Sequence, residues 1–260
     1  MRTIEKLKDS FITDDESYFK DFMYATSSMT KTLSNGSTYD LEHYLNNENK
    51  ETESLLVGSA FHCYMLEPDK FEERYVYAPK IDKRTKVGKE MYAQYLQSIG
   101  DRKPIPEHYE SIFSIIEKHL SENINSKKLL KECTDYEKLY FWKDLKTGLK
   151  CKGKVDGVGK DYIIDLKTTS KGVDVNSFKE FLKSWNLAHQ AAFYSNGTQI
   201  KTFYFIMCQL KAPFNVAVYK ISDTVMSIGQ ESVESTLNLY KDFIDNEHTS
   251  HVNGGKIIEV

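Results

Sequence analysis

Gly153-Lys154-Val155-Asp156-Gly157-Val158-Gly159-Lys160-Asp161-Tyr162-Ile163-Ile164-Asp165-Leu166-Lys167-Thr168-Thr169 reads as the greater portion of two strands, 149–158 and 161–168, turning at Gly159-Lys160-Asp161. A loop centred between Lys160 and Asp161 sets Asp156 directly opposite Asp165. Directly opposed residues have Cβ atoms about 4.5–5.5 Å apart, where like charges repel. A divalent cation converts that repulsion into ligation, and carboxylate oxygens are the donors that Mg²⁺ and Mn²⁺ prefer. Side chains alternate along a strand, so Asp165 and Lys167 are expected on one side while Leu166 points into the core. The expected constellation is two acids and one lysine on a single sheet face.

That trio suits phosphodiester hydrolysis. A metal polarises a phosphoryl oxygen and lowers the pKa of a bound water. The lysine orients that water, or offsets charge growing on the phosphate. The competing reading is a surface hairpin with ordinary charges, because Asp-Xaa-Lys alone is weak evidence. The upstream aspartate and the apolar Tyr162-Ile163-Ile164 run favour the catalytic one.

The other residues place this hairpin in context. The chain has 260 residues, 40% of them hydrophobic, enough for one large domain. A single domain over 1–260 is expected, with an α-rich N-terminal region over 1–135, a sheet core over 136–222, and a helix and tail over 223–260. The net charge of −3 neither advertises nor excludes a nucleic-acid partner, since patches matter more than totals. No apolar run approaches the length of a membrane span, and residues 1–8 lack the apolar centre of a signal peptide. A cytoplasmic protein without membrane contact is the expectation. Cys63, Cys133, Cys151 and Cys208 are too widely spaced for a zinc ribbon or an iron–sulfur cluster, and Cys63 and Cys208 lie in apolar runs that suggest core positions.

Along the chain, Asp14-Asp15-Glu16 and Asn46-Asn47-Glu48-Asn49 read as loops. Residues 52–66 read as a helix capped by Thr52, and 107–120 and 125–131 as further helices. Lys80, Lys83, Arg84, Lys86 and Lys89 cluster with Thr85 and Gly88 in an expected loop suited to gripping a phosphate backbone or simply to solvent. Strands are expected at 137–143, 149–157, 161–168, 201–210 and 214–221, with helices between 174 and 196 and over 223–246. This order predicts an α/β fold with a mixed central sheet flanked by helices.

Several further side chains fit the chemistry. Glu137 opens the strand beside the hairpin and reaches a metal if that strand is adjacent; otherwise it is a solvated strand end. His62 and Gly58 share a helix face, four residues apart, and a helix-interior glycine implies close approach by another backbone or a ligand. A lone histidine on an apolar helix is more often structural, so context must decide. Gln190 and Tyr194 share a face and can bond phosphate oxygens or a metal-bound water. Lys150, Lys152 and Lys154 alternate with Asp156 on one face, forming a basic track toward the acids or a lysine-protected edge strand.

The order Gly58-Xaa₃-His62, Glu137, Asp156, Asp165-Xaa-Lys167, Gln190-Xaa₃-Tyr194 resembles the PD-(D/E)XK nuclease superfamily, in the branch of the RecB nuclease domain, lambda exonuclease and the RecE-like (exodeoxyribonuclease VIII) group, often encoded by phages and prophages. Three stretches carry it: Gly58-Ser59-Ala60-Phe61-His62-Cys63-Tyr64-Met65-Leu66-Glu67-Pro68, Thr85-Lys86-Val87-Gly88-Lys89-Glu90-Met91-Tyr92, and Gln190-Ala191-Ala192-Phe193-Tyr194. The resemblance spans roughly residues 24–221. It implies a restriction-endonuclease-like core and a Mg²⁺-dependent 5′-to-3′ exonuclease on linear double-stranded DNA, with Mn²⁺ substituting. It implies that Asp156, Asp165, His62 and the Leu166 carbonyl ligate or adjoin metal, that Lys167 assists the attacking water, and that Gln190 and Tyr194 line the site. It further implies a homo-oligomeric ring threaded by DNA and a RecT-like single-strand annealing partner for recombination. Asp165 replaces the glutamate of many relatives, and Val155 stands where the motif's name has proline. Two alternatives are a structure-specific or endonucleolytic DNase on the same fold, and a catalytically silent DNA-binding protein.

Overall fold

The computed structural model describes residues 5–6, 24–35, 37–46 and 51–246. The strands are β1 (Glu5–Lys6), β2 (Tyr75–Ala78), β3 (Lys103–Pro106), β4 (Asp135–Lys143), β5 (Lys150–Val158), β6 (Tyr162–Thr169), β7 (Thr202–Gln209) and β8 (Val216–Lys220). The α-helices are α1 (Ser27–Thr32), α2 (Thr38–Asn46), α3 (Glu53–Leu66), α4 (Phe71–Arg74), α5 (Lys86–Ile99), α6 (His108–Glu122), α7 (Ile124–Lys131), α8 (Val175–Ser184), α9 (Leu187–Thr198) and α10 (Asp223–Asn246).

The larger sheet runs β1-β4-β5-β6-β7-β8. Its pairings are antiparallel except β6 with β7, which run parallel from Tyr162↔Thr202 to Thr169↔Gln209. A parallel pair needs a crossover, here supplied by α8 and α9. Both faces of β6 and β7 are covered, which is why these strands are nearly continuous in apolar residues. On one face α3 and α6 place Val57, Phe61, Phe113 and Ile116 over Ile164, Leu166, Ile206 and Cys208. On the other, α8 and α9 place Phe178, Phe181, Leu187 and Ala191 over Ile163, Phe203, Phe205 and Met207. A third cluster joins α1, α2, α9 and α10 around Trp142 and Cys151. The fold is α/β with a mixed central sheet flanked by helices, as the element order predicts.

Local signals set most boundaries. Thr52 accepts the Leu55 N–H at 3.3 Å and starts α3. Asp174 accepts the Asn176 and Ser177 N–H groups and starts α8. The expected helical span between 174 and 196 is broken at Asn186, whose φ of 47° lies in the left-handed region that ends α-helices. The expected loop over Lys80–Lys89 is corrected: Thr85 accepts the Gly88 N–H at 3.0 Å, and α5 begins at Lys86. A Cβ on Gly88 would lie 1.9 Å from the Asp82 carbonyl oxygen, so this glycine permits a close backbone approach and does not mark a loop. The polar stretch before Asn46 contains α1 and α2, which its composition hid. Asp14-Asp15-Glu16 and Asn47-Glu48-Asn49 lie outside the described residues. Cys63 and Cys208 are buried, as their apolar neighbours suggest. Among the described residues, no helix is long and apolar enough to cross a membrane.

Candidate metal centre

The β5–β6 turn closes as its sequence predicts, with Gly157 opposite Ile164, Val158 opposite Ile163, and Gly159 N–H donating to the Tyr162 carbonyl at 2.9 Å. The ladder ends there. The expected direct cross-strand pairing of Asp156 with Asp165 is corrected, though the two stay near one another, for the Asp165 charge acts on Asp156. Gly157 faces Ile164, since a Cβ there would meet the Ile164 side chain. Val155, two residues earlier, packs with the α8–α9 cluster on the opposite face. Regular alternation would put both residues on one face, so the pleat breaks at Asp156. Across the strand Glu137 has φ 48°, a left-handed backbone that costs a residue with a side chain roughly 1 kcal/mol or more. The break turns Asp156 toward α3, where its Oδ2 accepts the Leu166 N–H at 2.7 Å and lies 3.4 Å from His62 Nδ1.

His62, Glu137 and Asp156 form one cluster, each offering a ligand atom within 4.8 Å of the others. They come from α3, β4 and β5. Gly58 lets α3 settle on β6, because a Cβ there would press within 3.3 Å of Thr168 Oγ1. The close neighbour is thus a side chain, where sequence suggested a backbone or a ligand. Burial dominates the electrostatics of the cluster. Burial, then the Asp165 charge, raises the Asp156 carboxyl to about 7 against the opposing pull of Lys167, the Leu166 N–H and Lys154. Burial and Asp156 also raise Glu137, with Lys154 opposing at 2.8 Å. Burial, then Lys167, lowers the pKa of His62. A neutral imidazole keeps a lone pair for a metal.

Asp165 and Lys167 do share a face, in direct contact, while Leu166 is fully buried on the other. The Asp165 carboxylate is 1% exposed and turned toward α9, where Gln190 Nε2 donates to its Oδ2 at 2.5 Å. Its Oδ1 is buried against the Lys167 ammonium, with which it forms an ion pair. Tyr194, one turn beyond Gln190, lays its ring on Gly153, where a Cβ would come within 3.0 Å. Sequence reading missed Lys31, whose Nζ donates to Gln190 Oε1 at 3.2 Å. Nothing near Lys31 marks it in sequence beyond the Thr26 that caps α1.

The expected basic track is shorter than its spacing suggests. Lys152 is 1% exposed, which removes it from phosphate contact in this arrangement. Lys154 is paired with Glu137. Lys150 is exposed, its ammonium 5.7 Å from the centre of the Tyr24 ring. Lys86 stands exposed in the first turn of α5.

One imidazole nitrogen and two carboxylates with raised pKa, gathered within ligating reach of one another, fit a divalent cation. His62, Glu137 and Asp156 are the residues placed to hold it.

Comparison with known proteins bears on the family and the fold. Residues 17–257 match the family described as PDDEXK-like domain of unknown function (DUF3799). A candidate exonuclease from Eubacterium rectale, known from its crystal structure, superposes with a TM-score of 0.63 at 16% identity, covering 96% of each chain. That likeness is one of fold. The crystal structure of SSO0001 covers 84% of each chain at 14% identity with a TM-score of 0.30, too low to support an argument. No curated protein matches the chain.

Proposed function

The chain belongs to the PDDEXK-like domain family, and from that premise we propose that it is a divalent-metal-dependent exonuclease on linear double-stranded DNA. The observation that carries the reading is the forked β5–β6 hairpin. It gathers His62, Glu137 and Asp156 and keeps Asp165 and Lys167 near enough for their charges to act on Asp156 and His62. A silent binding domain has no physical need for carboxyls held in such a costly environment.

A bound divalent cation would lower the pKa of a water and polarise a phosphoryl oxygen. His62, Glu137 and Asp156 would hold it, with Asp165 Oδ1 and the Leu166 carbonyl as further oxygen donors. The remaining work falls to the chain's own groups. Lys167, anchored by Asp165, orients the attacking water or offsets charge on the phosphate. Gln190 fixes the Asp165 carboxylate, and Tyr194 offers a phenol on the same helix. Lys150 and Lys86 are exposed cations suited to the DNA backbone.

We assign Mg²⁺ as the working metal with Mn²⁺ as substitute, 5′-to-3′ polarity, a 3′ overhang, and a role in recombination by strand annealing. These finer features, with a RecE-like origin in phage or prophage, a single nuclease domain, a ring-shaped homo-oligomer, a RecT-like partner and a cytoplasmic location, rest on the sequence resemblance. The test is digestion of linear duplex DNA labelled at either end, with and without Mg²⁺, beside a covalently closed circle and the Lys167→Ala variant. The expected result is Mg²⁺-dependent loss of the 5′ label first, an intact circle, and a rate for Lys167→Ala lower by about 10²-fold or more. A cut circle would identify an endonuclease. No cleavage with any divalent metal would leave a binding protein on a nuclease fold.

A further inference from the structure

Two consecutive residues of α1 meet two consecutive residues of α9. Thr30 Oγ1 lies 2.9 Å from His189 Nε2, and Lys31 Nζ donates to Gln190 Oε1 at 3.2 Å. The His189 ring is held from its other nitrogen by Ser232 Oγ of α10 at 3.0 Å. The segment before α1 is fixed as well. Ala25 N–H donates to the Lys150 carbonyl and Ala25 O accepts the Lys152 N–H, each at 2.9 Å. These bonds use the edge of β5 that β6 leaves when the hairpin forks. The fork that frees Asp156 from the ladder thus also provides the seat for α1.

A primary amide has two chemically opposite ends. The Gln190 Nε2 end suits the Asp165 carboxylate, and the Oε1 end would repel it. An ammonium group has donors alone, so Lys31 can bind the Oε1 end and never the Nε2 end. Lys31 therefore selects the Gln190 orientation that donates to Asp165 Oδ2. With Oδ2 occupied, the carboxylate presents Oδ1 toward Lys167.

We propose that Lys31 is a positioning residue for the metal centre, acting through Gln190 to fix which oxygen Asp165 presents. The inference rests on the proposed metal-dependent reading. Burial of the Lys31 ammonium beside a second lysine agrees with it. That burial, followed by the Lys167 charge, lowers the Lys31 pKa to about 8, with Asp165 opposing. Holding an amine in such surroundings is costly unless its donors are used.

The test is a double-mutant cycle read by Mn²⁺ calorimetry without DNA. Wild type, Lys31→Met, Gln190→Ala and the double variant are compared, with melting temperature and single-turnover cleavage of linear duplex measured in parallel. Lys31→Met should weaken Mn²⁺ binding by about tenfold, as loss of groups that orient metal ligands does. Lys31→Arg, which keeps the donors, should recover most of that affinity. The double variant should bind no more weakly than Gln190→Ala, because the action of Lys31 passes through the amide. If Lys31→Met does not fold, Lys31→Ala takes its place. Unchanged affinity in the single variant, or equal losses in both backgrounds, would overturn the proposal and give Lys31 a separate role, such as direct phosphate contact. Coupled losses of Mn²⁺ affinity in a protein that cleaves no DNA would sink the nuclease reading and keep the Lys31 assignment. Cleavage with uncoupled losses would do the reverse, and absence of Mn²⁺ binding in wild type would sink both.

Discussion

With its pKa near 7, the Asp156 carboxyl is partly protonated at neutral pH because burial and Asp165 outweigh the nearby positive groups. Its folded-state pKa lies above the ordinary carboxylate value of about 3.9. The favourable contribution to folding is therefore complete below about pH 4 and lost as pH rises through 7. In the absence of metal, Asp156→Asn should melt higher than wild type at pH 8 and close to it at pH 4, while losing Mn²⁺ binding at both. A variant that melts lower at pH 8 would show that the carboxylate is already neutralised inside the fold. Asp156, Asp165 and Lys167 were legible because their chemistry and spacing coincide on one short hairpin. The pleat break at Asp156 was not, because it depends on how the neighbouring strand and helices pack. Lys31 is one of 35 lysines and arginines, and its partner lies 159 positions away, so spacing carried no sign of it.

At the scale of elements, α9 and α10 cross where Gly229 meets the main chain of Ala188. A Cβ at Gly229 would sit 2.1 Å from the Ala188 carbonyl oxygen. Alanine in an exposed helix gains about 1 kcal/mol over glycine. Here the clash should reverse the sign, and Gly229→Ala should lower stability by about 1–3 kcal/mol in urea unfolding. Because His189 and Gln190 follow Ala188 on α9, the same variant should also weaken Mn²⁺ binding. Helices α3 and α10 and the strands of the larger sheet from β4 onward were readable from caps, apolar runs and turn residues. The small β2–β3 sheet was not. Its four-residue strands lie far apart in sequence and pair in parallel, and no local signal marks such a contact. Helices α1 and α2 escaped notice because α1 is short and polar and gains its stability from the helices it packs against.

For the molecule as a whole, the proposed metal centre would couple ligand binding to global stability. A ligand that binds the folded state alone stabilises it by about 2.7 kcal/mol at a hundred times its Kd. For a chain of this size, Mn²⁺ at that excess should raise the melting temperature by about 5–10 °C. The shift should vanish in Asp156→Asn and shrink in His62→Ala. A shift that persisted in Asp156→Asn would place the bound ion elsewhere. The seating of α1 against β5 and α9 has a further consequence, in time. The side chains of the centre are spread from Lys31 to Gln190, and His189 is braced by Ser232. A chain still on the ribosome can have completed the β5–β6 hairpin and yet lack α9 and α10. Emerging chains therefore carry the acids without the frame that aims them. If the proposed nuclease reading holds, the enzyme would stay inert through most of its own synthesis.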